Sequence, residues 1–162
     1  VSSQGIGYVA AVALGVVFAF SAVAKARDLA GTEQQFEGLG LPRAMFFSRF
    51  IPVVEFSIVA LLLIVPATGA IAALVTLAFF TTFLIGRLKS GIRVPCACFG
   101  ASKTTPLSAL SIVRNVGLMA LAAAALNTDR PVRVSLADIA FVLIFFVVVG
   151  GGIRLADSVN KR

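Results

Sequence analysis

Long apolar runs separated by short polar stretches set the plan of the chain. Residues 5–24, 46–65, 68–88, 107–126 and 136–153 are each almost wholly apolar. Each lies close to the roughly 20 residues that a helix needs to cross a hydrocarbon core about 30 Å thick. The pattern predicts an all-α membrane protein in a single integral domain: a four-helix transmembrane core, a fifth transmembrane helix and a short interfacial helix within residues 29–43. In that polar segment Leu29, Phe36 and Leu39 suit a membrane surface, and Thr32 with Gln35 has capping-box spacing. A structured lid over one end of the bundle is the alternative reading. The first apolar run has no basic residue before it and is read as a retained helix rather than a signal peptide.

Composition agrees with this plan. Of 162 residues, 59% are apolar and only 13% are charged, and the mean hydropathy is +1.04, far from the average of soluble domains. The formal net charge of +7 would suggest nucleic acid in a soluble chain. Here the basic residues sit between apolar runs, where they set topology and meet anionic lipid headgroups, so membrane lipid and no nucleic acid is the expected contact. Eleven of them fall on one side: Lys25, Arg27, Arg43, Arg49, Arg87, Lys89, Arg93, Lys103, Arg154, Lys161 and Arg162, against Arg130 and Arg133 on the other. The positive-inside rule then puts the N-terminus outside, and the C-terminus and residues 89–106 in the cytoplasm.

Ionisable residues inside spans are costly and face the bundle interior or water. Glu55 lies about 13 Å along the second span and Arg114 about 10 Å along the fourth, both counted from the same membrane side. With Thr81, Thr82 and Asn115 they form an expected polar layer beneath residues 89–106. One reading makes Glu55 and Arg114 a structural ion pair that fixes helix register. The other makes the layer a proton relay or a seat for a quinone head group.

The chain has two cysteines and no histidine, so imidazole chemistry is absent and any redox or soft-metal chemistry runs through Cys96 and Cys98. They stand one residue apart in a polar loop between Pro95 and Gly100, flanked by Arg93 and Lys103. Nearby positive charge favours thiolate, the nucleophilic form. A disulfide across so short a ring is strained and readily reduced, which suits exchange better than stapling. Three readings follow: a dithiol exchanging with a partner's disulfide, a two-coordinate Cu(I) site, or a packed turn. No cofactor is intrinsic to the first. With one pair only, its redox cycle needs an outside partner, a quinone, or both.

The stretches AFSAVAKARD, PVVEFSIVALLLI and CACFG resemble the MauE branch of the DoxX-like membrane proteins over roughly residues 8–126. Carried onto this chain, the resemblance marks Lys25, Glu55, Cys96, Cys98, Phe99 and Gly100. It implies a redox-associated membrane protein with a thioredoxin-like partner and a part in maturing exported disulfide proteins. An accessory subunit that stabilises a larger membrane complex is the alternative from a different class. The charge count and the resemblance pull apart on one point, because cytoplasmic cysteines would sit in a reducing compartment.

Overall fold

The computed structural model describes residues 3–91 and 109–128. The chain divides into two compact units, Val1–Val132 and Arg133–Arg162. The second, with the predicted span 136–153, lies outside the described residues, as does the cysteine segment 92–108. Among the described residues there are five helices and no strand: α1 (Ser3–Arg27), α2 (Leu29–Gly38), α3 (Ala44–Ile64), α4 (Pro66–Lys89) and α5 (Ala109–Ala125). Three of the helices, α1, α3 and α4, are long and apolar enough to cross a membrane, and α5 is a shorter apolar helix. This is a multi-pass membrane protein.

The four longer helices close a ring in which α1 packs on α3 and α5, and α4 packs on α3 and α5. The interior holds Leu14, Leu62, Ala73, Leu84 and Ala122, all fully buried. Outward faces are just as apolar: Phe46, Val53, Ile71, Val75, Phe79 and Val113 are exposed. Bilayer lipid takes the place of water around such a face, and backbone groups are satisfied within each helix.

Helix ends follow from local chemistry. Lys25 and Arg27 occupy the last turn of α1, where a helix favours positive charge. Asp28 caps α2, its carboxylate accepting from Gly31 N at 2.9 Å. Thr32 is therefore not the cap of a capping box; it sits in the first turn, its hydroxyl donating to Asp28 O at 2.8 Å. After α2 the chain reverses at Gly40, whose φ of +72° is open to glycine at little cost. Pro66 opens α4 as a first-turn residue that needs no N–H partner. The α3–α4 turn is so tight that a Cβ at Gly69 would collide with the backbone of Leu62.

α2 packs one face against the bundle. Leu29 is exposed, but Phe36 and Leu39 are 2% exposed. They pack with Ala44, Ile51 and Leu84 into one cluster that joins α2, α3 and α4. Arg87, near the end of α4, donates to Gly40 O at 3.0 Å and lies over the Phe83 ring. The α2 segment thus packs on the bundle near the end at which α4 terminates.

Candidate functional site: a buried ion pair under the closed end of the bundle

Glu55 projects from α3 into the bundle, where its partner is Lys25 of α1. Lys25 Nζ stands 2.7 Å from Glu55 Oε1, with both side chains buried. Ser21 Oγ donates to the same carboxylate oxygen at 2.9 Å, and Lys25 also donates to Ser21. The grouping has a simple geometric origin. Positions 21 and 25 are one helical turn apart on one face of α1, and helical side chains lean towards the N-terminus, so the Lys25 stem runs back into the bundle. A short charge-assisted bond in a low-dielectric interior is strong, and each ion gains the counter-charge that its burial requires.

The expected Glu55–Arg114 pair is not what forms. Arg114 is exposed on α5, while its neighbour Asn115 is buried. Depth along a helix gives axial position only. Successive residues are about 100° apart around the axis, so Arg114 and Asn115 at nearly one depth face different surroundings. Thr81 and Thr82 divide in the same way. Thr81 is buried, donates to Leu77 O at 2.6 Å and accepts from Asn115 Nδ2 at 3.3 Å. Thr82 is exposed and bonds its own helix at Ala78 O, 2.8 Å away.

Of the expected polar layer, then, Glu55, Thr81 and Asn115 turn inward. Glu55 and Asn115 line one narrow cavity of about 30 Å³, together with Lys25, Thr76, Phe18, Phe36, Leu77 and Phe80. Each also carries a buried atom without a hydrogen-bond partner, Oε2 in Glu55 and Oδ1 in Asn115. Ser21 was not among the expected site residues; its signal was the one-turn spacing from Lys25. Arg93, Cys96, Cys98, Phe99, Gly100 and Lys103 lie outside the described residues. Among the described residues no cluster of three or more Cys, Asp or Glu could hold a metal ion.

A ring of apolar helices with a buried Lys–Glu pair beneath a closed end defines a polytopic membrane protein with an ionic centre. The chain belongs to the family described as methylamine utilisation protein MauE, which matches residues 3–128. That span covers all five described helices and the cysteine segment between α4 and α5. No curated protein and no solved structure matches the chain.

Proposed function

We propose that this protein is a membrane accessory of methylamine utilisation that exchanges disulfides with a partner protein through Cys96 and Cys98. The observation that carries the reading is the pairing of its only two cysteines, one residue apart and between two cationic residues, in the segment joining α4 to α5. The family's description supports the process, and the thiolate-favouring charge of Arg93 and Lys103 supports the chemistry. One cysteine thiolate attacks a sulfur of the partner's disulfide, forming a mixed disulfide and expelling the partner's other sulfur as thiolate. The second cysteine then attacks the mixed disulfide, releasing the reduced partner and leaving Cys96 and Cys98 oxidised. A dithiol of a thioredoxin-like protein returns the two electrons, since the chain has no second cysteine pair.

The test is the Cys96→Ser/Cys98→Ser variant in cells, with the partner's thiols trapped by alkylation and resolved by mass shift. The partner's redox state is expected to change while the membrane complex still assembles. An unchanged partner with assembly intact supports a non-catalytic subunit that acts through its apolar faces, and lost assembly counts against the exchange reading. An unchanged partner with a fall in bound copper supports Cu(I) handling by the two thiolates.

A further inference from the structure

We propose that the cavity beside the ion pair is a hydration site, holding water that donates to Glu55 Oε2 and Asn115 Oδ1. Both atoms are buried, both lack a partner and both residues line the same cavity. Glu55 and Asn115 are 6% and 2% exposed, so bulk solvent does not satisfy them. Buried acceptors are rarely left unpaired, because their desolvation is then uncompensated.

The chemistry of the pocket selects the occupant. An anion would face two unpaired acceptor oxygens, one of them a carboxylate oxygen, which repel it. A cation would add to Lys25, which already neutralises Glu55 at 2.7 Å, and would leave net positive charge in a low-dielectric interior. An apolar molecule would leave both acceptors bare. A neutral O–H donor remains. The cavity, about 30 Å³ in volume, is roomy enough to admit water. Phe18, Leu77 and Phe80 supply apolar walls, and Thr76 and Lys25 are further polar groups in the lining beside the two acceptors. Hydrated in this way, Glu55 has a hydrogen-bonded neighbour through which its carboxylate can exchange a proton inside the bundle. The proposal is independent of the thiol chemistry of Cys96 and Cys98.

Radiolytic hydroxyl-radical labelling of the full chain in lipid nanodiscs, prepared in 18O water and read by mass spectrometry, tests it. Radicals made from a bound water oxidise the side chains beside it. Leu77 lines the cavity and is 4% exposed, while Leu14 and Leu62 are 0% exposed and do not line it. Leu77 is expected to label several-fold faster than either. Equal rates in the three leucines would overturn the proposal without any variant. In Asn115→Leu, which removes one acceptor and fills space, Leu77 labelling is expected to drop to the rate of Leu62. Unchanged labelling in that folded variant would show that Asn115 holds no water.

Discussion

Lys25 and Glu55 exchange hydration for one another at 2.7 Å inside a ring of apolar helices. Removing one partner leaves the other charge buried and alone, a loss of about 3–5 kcal/mol in comparable sites. Replacing both with apolar residues of similar volume removes the burden from each side, and such swaps are often neutral or stabilising. Glu55→Gln and Lys25→Met are therefore each expected to lower thermal stability in detergent sharply, and Lys25→Met/Glu55→Leu to recover most of the loss. Strictly additive losses in the double variant would remove the pair from the account of stability. A folded Glu55→Gln protein whose partner reduction slows would assign the pair to thiol exchange instead. Sequence made Glu55 legible, because a carboxylate in an apolar run stands out and must find a partner. It did not make the partner legible: Arg114 matched in depth but faces away, and Lys25 reaches inward from the last turn of α1. Rotation about a helix axis is fixed by packing against neighbours, and a one-residue step, as from Arg114 to Asn115, changes which group enters the core.

At the scale of elements, the apolar runs 5–24, 46–65, 68–88 and 107–126 lie within a few residues of α1, α3, α4 and α5, since length and hydropathy are summed over whole segments; the run 136–153 lies outside the described residues. The connections were harder to read. Phe36 and Leu39 have the same composition whether they face lipid or protein, and only the chain reversal at Gly40 turns them beneath the end of the bundle. The α3–α4 hairpin offers a sharper test. A methyl at Gly69 meets the backbone nitrogen and Cα of Leu62, which cannot rotate away, so the helices must separate. Overpacking of that kind costs about 1–3 kcal/mol. Gly86 lies in the same helix, and a Cβ there meets nothing within 4 Å; alanine at such a site gains about 0.5–1 kcal/mol of helix propensity. Thermal unfolding of Gly69→Ala and Gly86→Ala is expected to move the melting temperature in opposite directions. A shift of the same sign in both would mean that the hairpin relaxes freely around position 69.

For the whole molecule, the distribution of charge and the proposed chemistry meet in the orientation of the cysteine segment. Basic residues outnumber one side by eleven to two, and Lys or Arg near helix ends resists translocation, so the segment joining α4 to α5 is expected in the cytoplasm. Two of those eleven, Arg87 and Lys89, end α4 beside the segment itself. A cytoplasmic dithiol rests reduced. In that compartment its work is to deliver electrons to a partner's disulfide, in keeping with the exchange proposed above. A membrane-impermeant maleimide applied to intact cells distinguishes the two sides, since Cys96 and Cys98 are the only thiols in the chain. Labelling is expected only after permeabilisation, and without added reductant. Labelling from outside, above all labelling that requires prior reduction, would reverse the orientation. The pair would then be a disulfide in an oxidising compartment, and the direction of electron flow between this protein and its partner would reverse with it.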